Sequence, residues 1–392
     1  MRIALVTLQY PPTGVGGIGT YVETLASALA GAGHEVTVVC SARDQRRSSA
    51  VEGGVRVERF STLGPGWLRD RLVAPHQALR VRILHALSSA WALWRVRSRF
   101  DVVEVPEWKA QGLLLRFVRR GAVVVHLHLG FELQAAWNGA TASRGWRISF
   151  ALERWTARLA RVRTATSEQT RRLPDGSTWL ADEEVEVVAP PLRSGPWRSC
   201  PPVQDTEPVV LFVGRLERRK APEVLVEALG SIAAEIPGCR VVFVGRVMGA
   251  DDRSYADLVQ ARSAELGIAC ELHPPTADPH ALAALYGRAR VVAVPSRFET
   301  LSMVVFEALA CGRPVVMTDQ IGAVEWLGAE LPELVVPAED VAALAAALRS
   351  HLLDADHAAS VGERGRRAVA SITADERVVA DRLRVYQRAM GA

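Results

Sequence analysis

Two acids stand eight positions apart in the segment Pro295–Pro314, P-S-R-F-E-T-L-S-M-V-V-F-E-A-L-A-C-G-R-P: Glu299 and Glu307. The apolar run between them predicts a buried helix over Met303–Ala310, entered through a polar loop and left through Cys311-Gly312. Glu307 falls in its middle, and a carboxylate facing a protein interior is costly unless something binds it. Glu299 is expected in the entry loop. The amides of Thr300, Leu301, Ser302 and Met303 fall at the helix N-terminus, where free N–H groups and the helix dipole favour an anion. Acids suited to hydroxyls, beside amides suited to phosphate, fit a sugar nucleotide.

A second constellation is F-V-G-R-L-E-R-R-K-A-P-E-V-L. A strand ends at Val213, Gly214 permits a turn, and Arg215 and Lys220 precede Pro222, which opens a helix. Two cations off the carboxyl edge of a parallel sheet form an anion clamp, Arg as a bidentate donor and Lys as a compact charge. A solvated charged loop is the rival reading, because Arg218 and Arg219 lie there too.

Near the N-terminus, Gly14, Gly16 and Gly19 spell G-x-G-x-x-G between a strand and a helix. That pattern suggests a nicotinamide-dinucleotide reductase. The turn is too long for that fingerprint, with Pro11-Pro12 inside it, and Ser41, Ala42 and Arg43 stand where an acid is expected. A glycine loop whose Gly16 and Gly17 amides approach a diphosphate or an acceptor fits better. In V-V-V-H-L-H-L-G, His126 and His128 are two apart at a strand end, and His128, nearer the loop, is the better site candidate. No further ligands at metal spacing accompany them. Asp354-Ala355-Asp356 spells the D-x-D of metal-dependent sugar transferases, but it lies between helical stretches and reads as an exposed junction.

These residues need a scaffold. At 392 residues, 49% hydrophobic and 23% charged, the chain predicts two folded domains and excludes a disordered protein. No apolar run spans a bilayer, and the short N-terminal apolar stretch reads as a strand, not a secretory signal. Five scattered cysteines, with no C-x-x-C pair, argue against disulfides or zinc and fit a reducing cytoplasm. The net charge of +4 is uneven: residues 1–190 carry 25 Lys+Arg against 17 Asp+Glu, and residues 191–392 carry 22 against 26. Nine of the ten tryptophans precede residue 198. The stretch Leu79–Phe100, with Trp91, Trp94, Arg95, Arg97 and Arg99, therefore fits either of two roles. It could be a helix packed on the first sheet or one resting on an anionic membrane.

Strand–helix alternation runs throughout and predicts two doubly wound parallel sheets facing a central cleft. Seven strands are expected in residues 1–188, with helices over Thr20–Ala32, Pro75–Ser98, Lys109–Arg119, Arg144–Ala160 and Ser167–Leu173. Residues 189–208, with six prolines, are expected to connect the domains without regular structure. Six strands follow over 209–373, and a last helix, Ala374–Met390, closes the chain over 374–392.

Together these residues resemble the family 4 glycosyltransferases, retaining enzymes of the GT-B fold. The resemblance covers nearly the whole chain: P-P-T-G-V-G-G-I-G-T-Y-V, G-H-E-V-T-V-V, V-H-L-H, G-R-L-E-R-R-K, and the E-x7-E segment with its flanks. It implies transfer of a sugar from a UDP- or GDP-sugar to a hydroxyl acceptor (a glycan, glycolipid or small metabolite), with no metal, no cofactor and no nucleic acid. In that family Glu307 would accept hydrogen bonds from ribose, and Glu299 would lie by the transferred sugar. Arg215 and Lys220 would neutralise the diphosphate, Gly17 would approach it, and His128 would line the sugar pocket. The last helix typically crosses back onto the first domain. A GT-B sugar-nucleotide epimerase is the neighbouring alternative. The chain departs from the family where Ala221 follows Lys220, since Gly is usual there, and at Leu301-Ser302, where Phe-Gly is usual.

Overall fold

The computed structural model describes residues 1–12, 17–42, 46–61, 77–96, 99–118, 121–140, 144–193, 195–246, 249–276 and 278–391. It divides into two compact units, Met1–Pro191 with Thr373–Ala392, and Leu192–Ile372.

The first unit is built on eight strands: β1 (Arg2–Thr7), β2 (Glu35–Ser41), β3 (Ser48–Glu52), β4 (Val55–Phe60), β5 (Val102–Pro106), β6 (Ala122–Leu127), β7 (Val162–Ala165) and β8 (Glu186–Val187). Their spatial order is β3-β4-β2-β1-β5-β6-β7-β8. All pairings are parallel except β3 with β4, an exposed edge hairpin turned by Gly53-Gly54, which takes positive φ at both positions. Sequence reasoning passes over β3 because S-S-A-V-E has no buried face and no apolar alternation. Chain order reverses direction between β1 and β5. That is where a doubly wound sheet opens its crevice at the carboxyl ends of the strands.

Five helices of this unit are α1 (Gly17–Gly31), α2 (Gln77–Arg95), α3 (Leu115–Val118), α4 (Phe131–Trp137) and α5 (Arg144–Arg158). The helix expected over Lys109–Arg119 breaks into a 3-10 turn at Trp108–Ala110 and the short α3, because Lys109 and Ala110 both take positive φ. Residues 168–171 likewise form a single 3-10 turn, and α4 occupies part of a stretch expected to be loop.

The second unit carries β9 (Val209–Val213), β10 (Arg240–Val244), β11 (Ala269–His273), β12 (Val291–Val294), β13 (Val315–Thr318) and β14 (Val335–Val336), all parallel, in the order β11-β10-β9-β12-β13-β14. Its helices are α6 (Pro222–Gly230), α7 (Gly249–Glu265), α8 (Pro279–Arg288), α9 (Met303–Ala310), α10 (Val324–Leu327), α11 (Val341–Leu353) and α12 (Ala355–Ile372). The inner strands β9, β10, β12 and β13 are apolar on both faces, as a sheet covered by helices on both sides requires, while the edge strand β11 carries Glu271 and His273. From Leu192 onward the proline-rich stretch packs into this unit. It forms 3-10 turns at Pro196–Ser199 and Val203–Asp205, and buries Trp197 against Tyr286 with ring centroids 5.9 Å apart.

The last helix, α13 (Asp375–Met390), belongs to the first unit. Arg382 and Tyr386, both fully buried, fix it there. The Tyr386 hydroxyl donates to Glu104 Oε2 at 2.8 Å, Tyr21 donates to Oε1 at 3.3 Å, and Arg382 donates to the Tyr21 hydroxyl and to Thr164 Oγ1. A buried carboxylate in the middle of β5 is thereby satisfied from two helices.

Candidate active site

In the second unit the switch of strand direction lies between β9 and β12. The two sequence constellations occupy the loops that leave those strands. After β9, Arg218–Lys220 form one 3-10 turn closed by Ala221. After β12, residues 295–302 run out and pair with the loop after β13: Glu299 N–H donates to Gln320 O, and Gly322 N–H returns to Glu299 O. The Arg297 amide donates to Arg219 O at 2.9 Å, tying the first two loops together.

The charges form an alternating chain. Arg215 Nη2 lies 3.1 Å from Glu217 Oε1, and the same oxygen accepts from Arg219 Nη2 at 2.7 Å. Arg219 Nη1 donates to Glu299 Oε2 at 2.8 Å and to Phe298 O at 2.7 Å. Lys220 Nζ contacts the remaining oxygen, Glu299 Oε1. The interior members are buried, with Arg219 2% and Glu299 6% exposed, while the terminal cations Arg215 and Lys220 are half-buried. Burial pushes the Glu299 carboxyl up, but Arg219 and Lys220 outweigh it and hold it down at about 2. Burial also lowers the Lys220 ammonium, with Glu299 opposing. A side chain at Gly214 would lie 3.4 Å from Lys220 Nζ, so the glycine leaves room for that ammonium. Arg219 is the residue that sequence reasoning assigned to a mere charged loop. Its neighbour Arg218 is the solvated one.

The helix α9 matches the predicted Met303–Ala310. Of the two acids only Glu307 lies on it, half-buried where a buried position was expected, while Glu299 in the entry loop is the buried one, held by Arg219 and Lys220. For Glu307 the reason is helical phase. Val305, Phe306, Ala308 and Leu309 face the core, which leaves Met303, Val304, Glu307 and Ala310 on the partly open face. Glu307 Oε2 accepts from the Tyr286 hydroxyl at 2.9 Å. Burial raises its carboxyl to about 6, with that hydrogen bond and Arg193 opposing. Leu301 and Ser302 are buried beside this helix entry, and Thr300 is half-buried.

Both departures from the family's glycine pattern sit at left-handed backbone: Ala221 at φ 49° and Ser302 at φ 72°. Such a conformation costs an L-residue roughly 1–2 kcal/mol, and about half of that is returned by the extra unfolded-state freedom of glycine. Ala221→Gly and Ser302→Gly are each expected to stabilise the unit by about 0.5–1 kcal/mol. Denaturant titration measures this, and loss of stability in both variants would contradict the strain assigned to these positions.

In the first unit, Gly17 opens α1 and is exposed; a side chain there would meet nothing within 4 Å. Gly16 lies outside the described residues. His128 follows β6, half-buried, with its ring edge-on to Tyr21 at 4.8 Å and to His126 at 4.7 Å. Burial, and then Arg382, push its imidazole down to about 3, so it is neutral at pH 7 and can exchange hydrogen bonds with hydroxyls. His126 is a core residue, bonded to Thr164 at 2.8 Å. Among the described residues no group of three His, Cys, Asp or Glu side chains could hold a metal ion. Asp354 ends α11, and its side chain accepts from the His357 amide.

Sequence reasoning missed two fully buried acids behind His128. Glu107 accepts the His128 N–H with both oxygens, at 3.1 and 3.0 Å. Glu153 accepts from the amides of Lys109 at 2.9 Å and Phe131 at 2.7 Å. Burial, and their mutual repulsion, raise Glu107 to about 8; burial raises Glu153 to about 7 against the pull of Arg82. A signal was present for Glu107 alone, in V-V-E-V-P-E-W, where Glu104 and Glu107 interrupt an apolar run.

A family model described as "Glycosyl transferases group 1" matches residues 197–368, and a "Glycosyl transferase 4-like domain" matches residues 16–191. The chain is 32% identical to a D-inositol 3-phosphate glycosyltransferase of Kineococcus radiotolerans over 93% of its own length and 90% of the relative's. It is 28% identical to a glycogen synthase of Mycobacterium tuberculosis over 96% and 91%. Sucrose-phosphate synthase from Thermosynechococcus elongatus shares the fold, with a TM-score of 0.71 at 23% identity over 100% and 99% of the two chains. An Anabaena protein solved with UDP and glucose shares it too, at a TM-score of 0.68 and 18% identity over 98% of each. With those matches across both units, the chain belongs to the family 4 glycosyltransferases of the GT-B fold, as an enzyme of the hexosyltransferase type.

Proposed function

We propose that this protein is a retaining glycosyltransferase that moves a sugar from a UDP- or GDP-sugar to a hydroxyl acceptor, without metal. The observation that carries the reading is the alternating chain Arg215–Glu217–Arg219–Glu299–Lys220 at the switch point of the second sheet. It ends in a cation on each side. A diphosphate leaving group takes up negative charge as its bond to the sugar breaks, and fixed cations aimed at it stabilise that transition state. The amides at the entry to α9, from Thr300 to Met303, are the natural partners of the same anion. Glu307, steadied by Tyr286, is placed for ribose hydroxyls. In the first unit, the neutral ring of His128 is assigned to hydroxyl binding and the amide of Gly17 to an anion.

The state of Glu299 favours one route to retention. Both of its oxygens are engaged by cations and its carboxyl sits at about 2, so it is a poor nucleophile and a poor base. Same-face attack needs neither. The acceptor oxygen forms the new bond to the anomeric carbon as the carbon–phosphate-oxygen bond breaks. The electron pair leaves with the diphosphate, whose oxygen takes the acceptor's proton. Glu299 then orients the sugar through its hydroxyls.

The deciding experiment offers a panel of nucleotide sugars and follows slow hydrolysis without acceptor, in excess chelator, with the product anomer read by NMR. One UDP- or GDP-sugar should be cleaved with retained configuration. Cleavage of none, an inverted product, or activity restored only by a divalent ion would overturn the corresponding part of the reading. The acceptor class follows from repeating the winning donor with glycans, glycolipids and small polyols.

Glu307 supplies a separate prediction. Glu307→Gln keeps the size and loses the charge, and nucleoside diphosphate affinity should fall about 10- to 100-fold, the worth of a hydrogen bond to an ionised group. Because the folded carboxyl titrates at about 6, wild-type affinity should weaken as pH drops from 7.5 to 5 while the variant's stays flatter. Calorimetry on both proteins reads this, and identical pH profiles would remove Glu307 from the donor site.

A further inference from the structure

We infer that the outward faces of α2, α3 and α5 form a docking surface for an anionic lipid bilayer. The helix α2 serves both roles weighed from the sequence. Ala86, Ser88, Ser89, Ala92 and Leu93 are buried on one side of it, while Ile83, Leu87, Trp91 and Trp94 are 42–55% exposed on the other. Their spacing of four, four and three residues draws one stripe along the helix. Both α3 and α5 pack against α2. They add Phe117 at 68%, Ile148 at 44% and Trp155 at 60% exposed. Single exposed apolar residues are ordinary, but among the described residues every exposed Trp and Phe lies on these three helices.

Charge selects the occupant. The exposed arginines Arg80, Arg95, Arg116, Arg144 and Arg147 stand on the same helices, and none forms an ion pair with a described residue. The three helices carry one acid, Glu153, and it is fully buried. Trp91 and Trp94 stack at 5.3 Å, with the Arg95 guanidinium 5.4 Å above the Trp91 ring. Indole rings with arginines around them suit the headgroup level of a membrane, where ring and cation both find partners. A second copy docked face to face would set arginines against arginines. No helix among the described residues is long and apolar enough to cross a membrane, so the contact is peripheral. Arg97, part of the same expected stretch, lies outside the described residues.

The test sediments the full chain with vesicles of phosphatidylcholine alone and with about 30% phosphatidylglycerol, at about 0.1 M salt, where surface charges still act over a Debye length. Binding should require the anionic lipid and weaken as salt is raised. Trp94→Ser with Trp155→Ser, which removes two interfacial indoles, and separately Arg144→Glu with Arg147→Glu, which removes two cations worth about fivefold each, should each cut partitioning at least about tenfold. All four positions are exposed, so circular dichroism and acceptor-free donor hydrolysis should match wild type. The inference is overturned by equal binding to neutral vesicles, by no binding to anionic ones, or by partitioning that neither variant changes. A concentration-dependent dimer abolished by the tryptophan pair would overturn it in favour of a second copy. Loss of vesicle binding with donor hydrolysis intact separates this surface from the catalytic reading.

Discussion

Lys220→Ala should lower turnover by about 10²–10³-fold, the scale of removing one preorganised electrostatic partner from a transition state. The protein should nevertheless stay folded. The lysine ends the charge chain, half-buried, and Glu299 keeps Arg219, bonded at 2.8 Å, when the ammonium is gone. The effect should fall on kcat and kcat/KM alike, because charge on the leaving diphosphate grows only as the bond breaks. Arg215, the other terminal cation, holds a looser contact of 3.1 Å to Glu217 and is more exposed. Its removal is expected to cost less in turnover and more in KM. Steady-state kinetics with the donor identified by the panel measures both. A Lys220→Ala enzyme within threefold of wild-type turnover would show that the leaving group is stabilised elsewhere.

Much of this arrangement was legible because it depends on spacing along one element. The separation of Glu299 from Glu307, the apolar residues between them and Pro222 after Lys220 fix a helix and a turn at known strand ends. What stayed hidden depends on contacts between distant segments or on backbone angle. Which of Arg218, Arg219 and Lys220 points inward is decided by a 3-10 turn folding onto the loop of Arg297, some 80 residues away. The half-exposure of Glu307 follows from the phase of an eight-residue helix, too short to announce its own inner face, and the burial of Glu299 from the cations that close on it. Glu107 and Glu153 meet across the ends of different elements, and only the apolar run that Glu104 and Glu107 interrupt hinted at the first of them. Ala221 and Ser302 conceal positive φ because neither residue type signals it, although their mismatch with the family's glycines marks both places. The hairpin strand β3 was lost for lack of a buried face.

The largest effect on stability should come from Arg219→Met. Arg219 is 2% exposed and neutralises two carboxylates that are themselves 8% and 6% exposed, Glu217 and Glu299. Removing Arg219 leaves Glu217 with Arg215 alone and Glu299 with Lys220 alone, and losing one partner of a buried ion pair costs about 3–5 kcal/mol, more than the pair itself contributes. At roughly 2–4 °C per kcal/mol for a unit of this size, the melting transition of the second unit should drop by on the order of 10 °C. The sign of the pH dependence tests the cause. Glu299 is depressed to about 2 in the folded chain and titrates near 4.3 when unfolded. Its contribution to wild-type stability is therefore present above about pH 4.3 and lost as pH falls toward 2. In Arg219→Met that contribution falls to what Lys220 alone supplies, so the gap between the two proteins should narrow through the same window. Adding Glu299→Gln to Arg219→Met removes a carboxylate already left with one cation in place of two, so the double change should cost less at pH 7 than the sum of the two destabilising single changes. Had the arginine contributed only packing, the gap would be independent of pH and the second substitution would add to the first. Thermal melts of the four proteins at pH 7 and pH 3 separate the two accounts, and non-additivity in the rescuing direction is the signature of the charge chain.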